Sequence, residues 1–224
     1  LSSAGELRGL ELDTPRNFNV TPYLIGTALR NFANPTETEA GFDGEVGFDA
    51  KFGITPSLNL DVTYNTDFAQ VEVDEQVVNL TRFGVRFPEK RSFFLENAGL
   101  FAAGKSGIDL FFSRRIGIDP SGAAVPIIGG ARLSGKVGTF NVGLLNMETD
   151  DIPRITAKNN FTVARVSREF QNRSSLGGIV VNRQATGSVS DDWNRTWGID
   201  GKLGIGQYTD IDGFMARTET PGRS

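Results

Sequence analysis

The residues whose types could do chemistry are charged and cluster in a few places. Pro88-Glu89-Lys90-Arg91 sets an acid beside two bases. In a pore, such a cluster forms a charged constriction that selects or gates a solute. The plainer reading is a latch: Glu89 and Arg91 pair with charges on strands, and Phe93, Phe94 and Leu95 pack behind them. Glu148-Asp150-Asp151 and Asp191-Asp192 group oxygen ligands as Ca²⁺ prefers, but without the spacing of an EF-hand loop; solvated loop charge is the simpler account. Asp210 and Asp212 flank Ile211. Paired carboxylates hydrolyse glycosides, yet two same-side residues of one strand give the same spacing.

Histidine and cysteine are both absent. That removes disulfides, thiolate zinc sites, cysteine nucleophiles and Ser-His relays. Carboxylates, Lys, Tyr and hydroxyls remain, and no spacing brings two carboxylates across a cleft. The balance leans away from an enzyme, and no cofactor or metal is implied. With 23 basic and 27 acidic residues the formal charge is −4, which argues against a nucleic-acid partner.

The elements that carry these residues are strands. In 41–68, Phe42, Val46, Phe48, Ala50, Phe52 and Ile54 occupy even positions, while Asp43, Glu45, Asp49 and Lys51 occupy odd ones. After Thr55-Pro56-Ser57 the alternation resumes, with Leu58, Leu60, Val62 and Tyr64 opposite Asn59, Asp61, Thr63 and Asn65. Period-2 alternation marks strands with one apolar face. Similar stretches at 17–30, 107–116, 125–136, 139–148, 160–170, 174–184, 195–205 and 208–216 predict an all-β chain. In 160–170 and 174–184 neither face is uniformly apolar; a bulge or a plug-facing wall accounts for that.

Short connections (55–57, 137–138, 171–173, 206–207) alternate with long polar ones (31–41, 117–124, 149–159, 185–194). A transmembrane barrel has this asymmetry, and its strands need only ~9–11 residues. A soluble β-sandwich predicts the same facial alternation but not long strands with regularly alternating loops. The pattern therefore predicts an antiparallel up-and-down transmembrane β-barrel. One domain spans 1–224, and its motif-rich segment 67–106 is inserted like a plug. Parity of the connections calls for one more strand in that segment, near 78–87, giving about eleven strands of a larger barrel. On this reading the even face of 42–64 meets lipid and the odd face a polar lumen. Trp193, Trp197, Tyr23, Tyr64 and Tyr208 are candidates for interfacial aromatic girdles. The chain starts on Leu1 in mid-pattern and ends at Ser224 after a strand-like run, so it reads as a fragment of a longer protein.

Segment 66–101 carries a specific resemblance. Asp67-Phe68, Gln70-Val71-Glu72, Asp74, Val78-Asn79-Leu80-Thr81-Arg82-Phe83, Phe87-Pro88-Glu89-Lys90-Arg91 and Phe93-Phe94-Leu95-Glu96 resemble a family of large bacterial proteins. In these a family-nine-type carbohydrate-binding module precedes a C-terminal domain of unknown function, predicted to be an outer-membrane β-barrel. The resemblance covers about 58–101, and Ser113-Arg114-Arg115-Ile116-Gly117 fits it more loosely. It implies an outer-membrane location, lipid as a partner, and glycan binding through a module preceding Leu1. It carries no established activity. The expected function is a porin-like channel or a surface-binding barrel linked to glycans, with a hydrolase-associated protein or a soluble all-β binding domain as alternatives. Arg82, Arg86, Glu89, Lys90, Arg91 and Glu96 are the candidate lumen or binding residues. Asp67, Phe68, Gln70, Asp74, Asn79, Pro88, Phe93 and Phe94 are the candidate structural motif.

Overall fold

The computed structural model describes residues 17–29, 41–65, 88–105, 108–119, 124–187 and 191–222. The chain is all-β. β1 (Phe18–Leu29), β2 (Gly41–Thr55) and β3 (Leu58–Tyr64) lead into a segment with two short 3-10 turns, the four-residue helix α1 (Ser92–Leu95), and a hairpin of β4 (Gly104–Lys105) and β5 (Ile108–Asp109). Six strands follow: β6 (Ile127–Val137), β7 (Phe140–Thr149), β8 (Asn159–Glu169), β9 (Ser175–Ala185), β10 (Trp193–Ile205) and β11 (Thr209–Glu219). The long strands form one nine-stranded sheet, ordered β1-β2-β3-β6-β7-β8-β9-β10-β11. Every pairing is antiparallel. Among the described residues the sheet is open, with β1 and β11 as its edges.

Two expectations are corrected. The stretch 107–116 is not a sheet strand; it holds only the two residues of β5 and the 3-10 turn Ser113–Arg115. Its apolar run is spent on packing: Leu110, Phe111 and Ile116 belong to the interior core, and no face is left for a neighbouring strand. Among the described residues the sheet has nine strands, and β3 pairs directly with β6, so no strand lies between these two. Residues 78–87 lie outside the described residues. Parity does not call for either stretch as a sheet strand: with β6 beside β3, short and long connections alternate along the described strands.

Register divides the side chains into two faces. One pairing row runs Thr21, Asp49, Thr63, Gly130, Met147, Phe161, Arg183, Asn194; it lies on the inner face, against which residues 88–119 pack. The adjacent row runs Val20, Ala50, Val62, Ala131, Asn146, Thr162, Asn182, Arg195 and lies on the outer face. Large apolar residues remain exposed along that outer face from β1 to β11, from Leu24 at 82% to Met215 at 71%. Towards the long connections on β7 to β10, the outer face turns polar. Asn146 donates to Asn160 and Thr162 at 3.0 and 2.9 Å, and Arg195 donates to Asn182 at 3.1 Å.

This apolar band runs obliquely to the strands. Its middle on β1 is level with Thr21, whose row ends at Asn194, beside Thr220. Its middle on β11 is Gly213, between Ile211 and Met215. The band thus drops about seven residues over the eight steps across the sheet, which at ~3.3 Å per residue and ~4.8 Å per step is a slope of about 30°.

The core lies on the inner face. Phe94, Phe101, Ala103 and Ile116 of the segment pack against Ile127, Leu145, Met147, Val163 and Ile179 of the sheet. Gly143 permits the approach: a Cβ there would stand 2.9 Å from the Phe101 ring. This core also explains the irregular alternation of β8 and β9, whose inner-face Val163, Ile179 and Val181 are apolar because the segment covers them. Met147 is fully buried, so Met147→Ala is expected to cost ~2–5 kcal/mol, read as a lower midpoint in denaturant.

Candidate functional site

The segment 88–119 is fastened by arginines. Arg91 pairs with Glu89 through two parallel hydrogen bonds, Nε to Oε1 and Nη2 to Oε2, both 2.7 Å. It also donates to the Ile116 carbonyl and, at 2.9 Å, to that of Ser113, and its guanidinium lies 4.2 Å from the Phe94 ring centre. Ser113 Oγ donates to Glu89 Oε2 at 2.7 Å, and the Lys90 and Arg91 amides donate to Oε1 at 3.1 Å. Arg114, also buried, donates to the Pro88 carbonyl at 2.7 Å. A carboxylate so surrounded is stabilised in its charged form. Burial opposes ionisation of Glu89, but the hydrogen bonds and charge of Arg91, helped by Ser113, outweigh it and hold its pKa below the ordinary value.

A second network joins the segment to the sheet. Arg132 of β6 is 2% exposed. It donates to Asp61 Oδ2 of β3 at 2.7 and 3.2 Å and to the backbone carbonyls of Phe93 and Glu96, the latter at 2.6 Å. Its guanidinium lies 4.9 Å from the Phe93 ring centre. Lys51 of β2 bonds the Glu96 carboxylate and lies 3.7 Å from Asp61. Further along the sheet, Arg165 of β8 reaches across β9 to Asp200 of β10 with bonds of 2.6 and 2.8 Å. Gly177 makes room, since a Cβ there would meet Arg165 Nη2 at 3.0 Å.

Of the residues singled out by sequence, Pro88, Glu89, Lys90, Arg91, Phe93, Phe94 and Glu96 are thus brought together around α1. Asp67, Phe68, Gln70, Asp74, Asn79, Arg82 and Arg86 lie outside the described residues. Sequence reasoning missed Asp61, Arg132, Arg165 and Asp200, whose only local signal is a charge at a polar-face position. The acidic clusters are separately engaged: Glu148 pairs with Lys158 at 3.1 Å, and the Arg183 guanidinium beside Asp192 holds that carboxyl below the usual range. Among the described residues no three His, Cys, Asp or Glu side chains converge. Asp210 sits 3.0 Å from Lys202 and 3.2 Å from Arg173. Of the aromatic candidates, Tyr23 is not outward: it pairs with Gly47 on the inner face, and its hydroxyl donates to the Asn65 carbonyl at 2.8 Å. Tyr64 and Trp197 do lie on the outer face.

One family matches the chain, a domain of unknown function (DUF5916), over residues 14–135. No curated protein and no solved structure matches it.

The Glu89–Arg91 pair sets two expectations. Glu89→Gln leaves the Arg91 charge buried without its partner and is expected to cost ~3–5 kcal/mol, seen as faster hydrogen exchange across 88–119. A depressed carboxyl pKa contributes stability above the unfolded-state value, and that stability is lost as pH falls through the folded value. Acidification below the ordinary Glu range should therefore raise exchange in the same segment. Glu89→Gln should remove that acid step; an unchanged pH profile in the variant would assign the step to another group.

Proposed function

Since the chain belongs to this family of unknown function (DUF5916), we propose from its geometry that it forms part of the wall of a bacterial outer-membrane β-barrel, with residues 88–119 lodged inside. The oblique apolar band carries the reading. A membrane barrel shows hydrocarbon an apolar belt ~25 Å tall on strands tilted ~35–45°, so the belt must cross the strands obliquely. A slope of about 30° is what strands tilted close to that range produce. On β2 the outward apolar run Val46–Ile54 covers eight steps, ~27 Å along the strand and a little over 20 Å once tilted.

The edges point the same way. Hydrocarbon tolerates a sheet only when it is closed. Nine antiparallel strands leave β1 and β11 running in the same direction, so an all-antiparallel closure takes an odd number of further strands. A soluble sandwich needs a cover for the outer face, and none lies among the described residues. Glu89 and Arg91 pair with each other and with groups of their own segment, not with the strand charges that the latch reading expected, so an internal brace suits them better than a selective constriction. Asp61, Glu89, Asp200 and Asp210 each sit against Arg or Lys, an arrangement for holding a wall together rather than for hydrolysis. A role in binding or admitting glycans is the part of the proposal drawn from the resemblance of 58–101.

Heat-modifiable gel migration of the protein from purified outer membranes tests the barrel: the unboiled band should run ahead of the boiled one. A heat-insensitive product in the periplasm would sink the proposal. Within the band, Ile199→Arg is expected to cost ~2–4 kcal/mol of membrane-embedded stability. Asn182→Arg, in the polar row, should leave assembly unchanged; equal effects from both would mean the band does not meet lipid.

A further inference from the structure

Among the described residues the segment covers the inner face from β6 to β10 and leaves that of β1 and β2 largely open. Where α1 meets the open wall lies a cavity of about 150 Å³. Asn19 and Thr21 of β1, Asp49 and Lys51 of β2, and Ser92 and Phe93 of α1 line it, above the buried Arg132 and Asp61.

The cations around this cavity are already matched. Lys51 is held by Glu96 and Asp61, and Arg132 by Asp61 and two carbonyls. An anionic guest has to break one of these pairs, and leaving the partner buried and unpaired is costly. What the cavity offers freely is one Asp49 carboxylate oxygen and uncharged side chains. The side chains of Asn19, Thr21 and Ser92 make no hydrogen bond among the described residues. Asp49 takes Thr63 Oγ1 on one oxygen at 2.6 Å, which leaves the other to accept. An amide and two hydroxyls each donate and accept, and Phe93 adds an apolar ring.

We propose that this cavity binds a neutral polyhydroxylated small molecule, a linear polyol or a single sugar ring. Each hydroxyl of such a guest donates and accepts, as the lining groups do, and its C–H surface suits the phenyl ring. The volume equals the share of about five waters at ~30 Å³ each, which seats a guest of this size. The proposal goes beyond the barrel reading, because every group it uses lies on the inner face and would serve equally in a sheet outside a membrane.

Calorimetric titration of the detergent-solubilised protein with glucose, erythritol, sodium phosphate and glycine tests it. Glucose or erythritol should bind at one saturable site, and phosphate and glycine should not. Asn19→Leu combined with Thr21→Val on the wall, and separately Ser92→Ala on α1, should each weaken binding about tenfold with Tm unchanged. Absence of heat with both polyols, preference for phosphate or glycine, or full affinity in both variants would overturn it. Heat-modifiable migration of the same preparation reports on the barrel separately, so failure of one proposal is not mistaken for failure of the other.

Discussion

The structure depends on one buried cation. Arg132 stands on the inner face of β6, nearly sealed from solvent. Burying a guanidinium is costly unless its charge is paired and its N–H groups are satisfied. Both conditions are met only when β3 supplies Asp61 and α1 supplies the carbonyls of Phe93 and Glu96. Removing the segment would strand the charge; removing the charge would leave α1 without its tie to the wall. That tie sets Phe93 over the guanidinium and Phe94 in the core, and it forms the floor of the cavity beside β1 and β2. The Glu89–Arg91 pair works differently, folding the segment on itself, so the segment has an internal brace and an external anchor.

Much of the architecture was legible before any coordinates. Period-2 alternation found every long strand of the sheet to within a few residues, because most of the strands keep one face largely apolar. The alternation failed where a second apolar surface is present. On β8 and β9 the inner face is apolar under the segment, so both faces look mixed. The stretch 107–116 failed for the related reason that its apolar residues serve packing and not pairing, and a short apolar run does not declare which. Counting 107–116 as a sheet strand is also what made parity call for one more strand in 67–106.

The site was legible in part. Glu89, Arg91, Phe93 and Phe94 lie close in sequence, and their types announce buried charges backed by aromatic rings, but not that Glu89 and Arg91 pair with each other instead of with strand charges. Arg132 and Asp61 are separated by 71 residues, and nothing local links them; only the register of β3 against β6 makes them partners. Arg165 and Asp200 are two strands apart, and their meeting rests on the bare backbone of Gly177 between them.

The two faces of the sheet pose the question that any account of this chain must answer. A strand in a soluble domain needs one apolar face, buried on one core. Here β7 to β9 carry an apolar inner patch, covered by the segment, and a second apolar surface on the outside, exposed in Leu144, Val166 and Val180. Two apolar faces on the same strands require two apolar partners. The segment is one, and its own polar groups are satisfied by buried arginines. The proposed second is hydrocarbon, which needs no particular side-chain complement and so leaves the outer face free to be merely apolar, with Val, Leu, Ile, Phe and Gly in no evident packing order. A protein partner would demand shape. A band that is uniform in polarity, irregular in shape and oblique to the strands is better matched to a solvent than to a surface.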